Sequence, residues 1–123
     1  MNERIRTMAA PQANQVSGGL SIEASRRVRE FIAENFARQI SVADLAAICG
    51  LSAGHLIKAF TKTFGLSPHK YLMNVRLDQA QRMLIEGSLS IADIARLTGF
   101  SSQSHLTSAM RKHRGVTPTE IRS

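Results

Sequence analysis

Two kinds of chemistry lie within reach of the side chains in this sequence. His55, His69, His105, His113 and Cys49 are of types that ligate metals or act as bases and nucleophiles. Lys58, Lys62, Arg111, Lys112 and Arg114 are of types that hold a polyanion. The first set is badly spaced for its chemistry. No two histidines stand three or four residues apart, and Cys49 has no second cysteine, so no metal-ligating pair shares a helix face. There is no phosphate loop, dinucleotide fingerprint or serine elbow. Asp44 and Asp93 follow Ser41 and Ser90 by three residues, a helix-capping interval that suits dipole compensation better than acid–base work. The expectation is a protein that is not an enzyme, with no metal and no cofactor.

The second set fits its chemistry. Sixteen Lys and Arg against nine Asp and Glu give +7 over 123 residues, a surplus that favours nucleic acid over a membrane surface. The run Arg111-Lys112-His113-Arg114 concentrates that charge at the end of one predicted helix. A single cysteine excludes an internal disulfide and fits a reducing compartment. No apolar run approaches the roughly 18 residues of a membrane helix, and Arg4 and Arg6 lack the apolar block of a secretory signal. A cytoplasmic location without membrane contact is therefore expected.

The elements that position these cations come in duplicate. Ser41-Val-Ala-Asp-Leu-Ala-Ala-Ile-Cys-Gly-Leu-Ser52 recurs as Ser90-Ile-Ala-Asp-Ile-Ala-Arg-Leu-Thr-Gly-Phe-Ser101, 49 residues on. After one extra residue in the second copy, His55-Leu56, Phe60, Lys62, Gly65 and Pro68 pair with His105-Leu106, Met110, Lys112, Gly115 and Pro118, 50 residues on. Each copy reads as a short helix, a glycine turn and a second helix, the helix-turn-helix arrangement. Residues 1–20 carry Pro11, Gly18 and Gly19 without periodicity and read as a disordered arm or linker remnant. Ser21 opens a helix with Val28, Phe31, Ile32 and Phe36 on one face. Helices follow at 42–49 and 53–63, then a long one over 68–86 with Leu72, Val75, Ala80, Met83 and Leu84 apolar. Further helices span 91–98 and 102–113, and Thr117-Pro118 starts a short last one. Domain boundaries are placed at 21–66, 67–87 and 88–123, in an all-α fold.

With Leu56 and Phe60 buried, a step of about 100° per residue turns Gly54, Lys58, Thr61 and Lys62 outward, with Ile57 at the edge. The matching outward set is Ser104, Ser108, Arg111 and Lys112, flanked by Gln103 and Thr107. His55 and His105 hold matching places and read as helix surface or as phosphate contacts. The long helix would be about 28 Å at about 1.5 Å per residue. Successive major-groove faces lie about 34 Å apart, so one connector could serve both copies if the duplex bends somewhat.

The stretch Ala92-Asp-Ile-Ala-Arg-Leu-Thr-Gly-Phe-Ser-Ser-Gln-Ser-His-Leu, with Gly115-Val-Thr-Pro and Arg122, resembles the C-terminal signature of the AraC/XylS family of bacterial transcription regulators. Leu51-Ser-Ala-Gly-His-Leu, Phe60, Lys62, Gly65-Leu-Ser-Pro, Tyr71, Arg76-Leu77, Ala80 and Leu84 look like its first half and linker helix. The resemblance covers roughly residues 21–123. It implies seven helices in two homeodomain-like helix-turn-helix subdomains, whose second helices enter adjacent major grooves of promoter DNA. The chain is then expected to act on double-stranded DNA as a transcription regulator, recruiting or blocking RNA polymerase. As an isolated domain it would be a monomer, with dimers possible within a longer protein. The family's reading positions correspond to Gly54, Ile57 and Lys58 in the first copy, and to Gln103, Ser104, Thr107 and Ser108 in the second. Lys62, Arg111, Lys112 and Arg114 are the expected phosphate contacts.

The side chains at those positions promise modest direct readout. Lys58 can donate to guanine or a phosphate, and Gln103 can bond an adenine edge bidentately. Gly54 offers no side chain, and Ser104 and Ser108 are short. Leu106, Met110 and Ile121 depart from the aromatic residues usual in the family, which implies a softer second core. The competing expectation is a helical protein-interaction module that kept the fold and lost DNA binding.

Overall fold

The computed structural model describes residues 17–123, so the expected arm over 1–20 lies outside the described residues except for its last four. Among the described residues seven helices follow one another: α1 Ile22–Asn35, α2 Val42–Cys49, α3 Ala53–Phe64, α4 Pro68–Glu86, α5 Ile91–Leu97, α6 Gln103–Arg114 and α7 Pro118–Arg122. No strand occurs among the described residues.

Side-chain caps set most of these starts. Ser41 Oγ accepts the Asp44 N–H at 3.0 Å while Asp44 Oδ2 accepts the Ser41 N–H at 2.9 Å, so aspartate completes the capping box usually closed by Glu. Ser52, Ser67, Ser90 and Ser102 each accept the N–H three residues on, at 3.2, 3.2, 3.0 and 3.1 Å. Thr117 and Glu120 form a second capping box on α7.

The chain divides into two compact units. The first comprises the described residues through Glu34 together with Ile40–Tyr71. Its interior holds Leu20, Val28, Ile32, Leu45, Ala46, Leu56, Ala59 and Phe60. Phe60 packs on Phe64 and Tyr71 with ring centroids 4.5 and 5.4 Å apart. Leu20 falls in the stretch read from sequence as an arm, yet it is 2% exposed and its N–H donates to Thr63 Oγ1 at 2.7 Å. A lone apolar residue before a helix shows no periodicity, so nothing local announces that it packs.

The second unit comprises Asn35–Gln39 and Leu72–Ser123. Its core gathers Met73, Leu77, Ala80 and Leu84 of α4 with Ile94, Ala95, Phe100, Leu106, Ala109 and Met110. Leu106 and Met110 are fully buried, and Ile121 packs against the cluster. The buried stripe of α4 therefore runs through Met73 and Leu77, while Leu72, Val75 and Met83 are half-buried flanks. Apolar residues lie on two adjacent faces of this helix, so sequence periodicity alone does not choose between them.

The long helix is shared between the two units. Its first turn, through Tyr71, belongs to the first unit and the rest to the second. α1 stops at Asn35, one residue short of Phe36, whose carbonyl has a distant partner. Arg76 Nε donates to it at 2.7 Å, and Arg76 NH2 donates to the Arg38 carbonyl at 2.9 Å. Burial lowers the pKa of Arg76, and these two carbonyls stand in for part of its lost hydration.

The two turns that match in sequence differ in surroundings. Gly50 at φ +68° ends α2, and a Cβ there would meet nothing within 4 Å. Gly99 at φ +92° sits where a Cβ would fall 2.7 Å from Arg76 Nε and 2.9 Å from the Phe36 oxygen. In the second copy α5 ends one residue earlier, at Leu97, and the fully buried Thr98 donates its Oγ1 to the Ile94 carbonyl at 2.7 Å. Its counterpart Cys49 is half-buried, and burial pushes that thiol up against the opposing pull of Arg27.

Candidate nucleic-acid interface

In the first unit α2 and α3 meet at a bend of 83°, and packing of Leu45 and Ala46 with Leu56, Ala59 and Phe60 in the interior leaves one face of α3 bare. Gly54, Lys58, Thr61 and Lys62 are all exposed on it, and Ile57 at the edge is 42% exposed. Ile57, Lys58, Thr61 and Lys62 share one shallow surface depression. The long stem of Lys62 runs beside the entering chain: a Cβ on Gly18 would lie 3.5 Å from its Cδ.

In the second unit the buried residues of α6 are Leu106, Ala109 and Met110. Gln103, Ser104, Ser108, Arg111 and Lys112 are exposed and Thr107 is half-buried. Gln103, Ser104, Thr107 and Ser108 line one shallow depression, the four residues assigned from sequence to base contact. Neither α3 nor α6 contains an acidic residue, so each bare face presents donors and cations to an anion.

Arg114 does not join its neighbours. Its guanidinium pairs with Asp78 at 3.0 Å and donates to Gln81 Oε1 and the Asn74 carbonyl, each at 3.3 Å. With a side chain only 24% exposed, it fastens the end of α6 to α4 and is less free for a phosphate than Arg111 and Lys112. Arg122 acts in the same way, donating to the Leu84 carbonyl at 3.4 Å. Both pairings span more than thirty positions in sequence, a range over which spacing carries no signal.

The loop into α6 holds a detail that the repeat pattern marks only as an extra residue. The Ser101 N–H donates to His105 Nδ1 at 3.2 Å, and Ser101 Oγ lies 3.1 Å from the same nitrogen. Phe100 meets the imidazole edge-on with centroids 5.2 Å apart.

Among the described residues no three His, Cys, Asp or Glu gather as a metal site. No single described helix is long and apolar enough to cross a membrane.

A family model described as a helix-turn-helix domain matches residues 45–123. An uncharacterised HTH-type transcriptional regulator of Bacillus subtilis is 40% identical over 81 residues, covering 66% of this chain and 29% of its own length. A transcriptional regulator from Chromobacterium violaceum, of the proteins containing an AraC-type DNA-binding domain, superimposes with a TM-score of 0.75 at 32% identity over 81% of this chain and 89% of that one. The DNA-binding domain of the global transcriptional factor AdpA, solved in complex with a target DNA, gives 0.74 at 29% identity over 79% of this chain and 87% of that one. The chain spans about a third of the length of the curated relatives it matches.

Proposed function

The chain belongs to the AraC-type helix-turn-helix family, and on that premise we propose that it is a sequence-specific DNA-binding regulator of bacterial transcription. Its recognition helices α3 and α6 would enter adjacent major grooves of promoter DNA. The observation that carries this reading is the duplicated, acid-free helix face, with Lys58 and Lys62 bare in one copy and Arg111 and Lys112 bare in the other.

Direct readout would come from Gly54, Ile57 and Lys58, and from Gln103, Ser104, Thr107 and Ser108. Lys58 and Gln103 have the reach for bidentate or strong single contacts to base edges. The short Ser104 and Ser108 and the bare backbone of Gly54 discriminate weakly. Much of the affinity would then come from phosphates, met by Lys62, Arg111 and Lys112, and from duplex deformability. Bound in the cytoplasm as a monomeric domain, the protein would recruit or obstruct RNA polymerase.

Titration of labelled duplex across a salt series tests the reading, because a regulator of this kind loses affinity steeply as salt rises. Selection of bound sites from a random duplex pool adds a second check. Recovered sites long enough for two consecutive grooves support engagement of both heads, and sites of a single groove overturn it. The exposed Gly54 favours one other reading, a protein-interaction module on the same fold. That reading requires negligible duplex binding even at low salt.

A further inference from the structure

The repeat-equivalent histidines His55 and His105 sit on one flank of their helices, seven residues before Lys62 and Lys112, and all four are exposed. Seven residues advance about 10.5 Å and return nearly to the same side of a helix. When the middle of an exposed helix face meets base edges, its flanks face the sugar–phosphate walls of the groove. The two positions are thus placed along one strand, whose phosphates recur about every 3.4 Å of axis.

The second copy carries one more residue between its glycine turn and its helix, so Ser102 takes the N-cap and Ser101 is left to act on the ring. Its N–H donates to Nδ1, so Nδ1 carries the lone pair and the proton resides on Nε2. The serine hydroxyl and the edge of Phe100 hold the ring from the same side. A neutral imidazole fixed in this way presents a single N–H donor at its far edge, already oriented before any partner arrives.

Resting on the DNA-binding reading, we infer that His105 is a phosphate-binding residue of the second recognition helix, its Nε2–H donating to a backbone oxygen of the strand that Lys112 also contacts. Ser52, the repeat partner of Ser101, caps its helix and bonds the His55 N–H instead of the ring, so His55 contributes less.

Asparagine and glutamine separate this role from a merely structural one. In His105→Asn the side-chain oxygen stands where Nδ1 stood and keeps the Ser101 bond, while the outward donor is gone. In His105→Gln the amide nitrogen reaches the place of Nε2. Binding of a fluorescein-labelled mixed-sequence duplex is measured by anisotropy at low salt, with thermal unfolding of each variant beside it. H105N should keep the wild-type unfolding midpoint and bind roughly five- to tenfold more weakly, the scale of one lost hydrogen bond at an exposed site. H105Q should bind within about twofold of wild type, and H55N should lose less than H105N. H105N binding as wild type overturns the inference, and so does H105Q losing as much as H105N. Should the wild-type chain itself leave the duplex free, DNA binding falls first and His105 with it.

Discussion

Alanine at Gly99 should destabilise the protein far more than alanine at Gly50, although the two glycines are the same residue of a repeated turn. Both adopt a left-handed backbone, at φ +68° and +92°, which costs a non-glycine residue about 1–2 kcal/mol. At Gly50 the added methyl meets nothing within 4 Å, so that strain is the whole effect. At Gly99 the methyl falls 2.7 Å from Arg76 Nε and 2.9 Å from the Phe36 oxygen, which are themselves bonded at 2.7 Å. The side chain could swing away, but the backbone oxygen cannot move without shifting the α1–α2 connection. Losing one hydrogen bond from a part-buried guanidinium adds about 1.5–3 kcal/mol. The expected penalties are about 1–2 kcal/mol for G50A and about 2.5–5 kcal/mol for G99A. Guanidinium titrations of the two variants, followed by circular dichroism, measure both. Equal midpoints would refute the packing argument and leave only turn geometry.

Three further outcomes are expected. Truncating Lys58 or Gln103 to alanine should change preference at one base pair by about 1–3 kcal/mol, whereas K112A should weaken binding to every duplex and reduce the salt slope by about 1; identical behaviour in a titration series would end that division of labour. R114A should cost stability of about 1 kcal/mol, since Asp78 is well exposed, and leave the salt slope of DNA binding unchanged. L20A should cost about 2–5 kcal/mol by chemical denaturation, the range for emptying a buried leucine site, although the residue precedes the first helix.

Helix boundaries were legible because short-range chemistry writes them. The caps Ser41, Ser67 and Ser90 each bond a donor three residues away, a pair visible in any sequence window, whereas α6 begins at Gln103 behind the cap Ser102, one residue later than its spacing suggests. The outward faces of α3 and α6 followed from the same local periodicity, and Lys58 and Ser104 stand exposed as reckoned. What escaped was long-range. Leu20 finds Thr63 across 43 positions, Arg76 finds Phe36 across 40, and Arg114 reaches Asn74 across 40. Arg114 shows the difficulty well: its place in a basic run suggested an anion partner, and only the folded chain reveals Asp78 beside it. Only part of the buried stripe of α4, Ala80 and Leu84, is legible from spacing, as one helix supplies Tyr71 to one interior and Met73 onward to another.

The assignment of Asn35–Gln39 to the same unit as Leu72–Ser123 means that the carboxy-terminal half is not a contiguous peptide. A fragment begun at Leu72 would retain Arg76 but leave behind both carbonyls that receive its guanidinium. On the ribosome, that acceptor pair emerges nearly forty residues before the arginine needing it. Dissecting such a chain into working halves would call for grafting the loop back, since cutting alone discards part of what completes the later half.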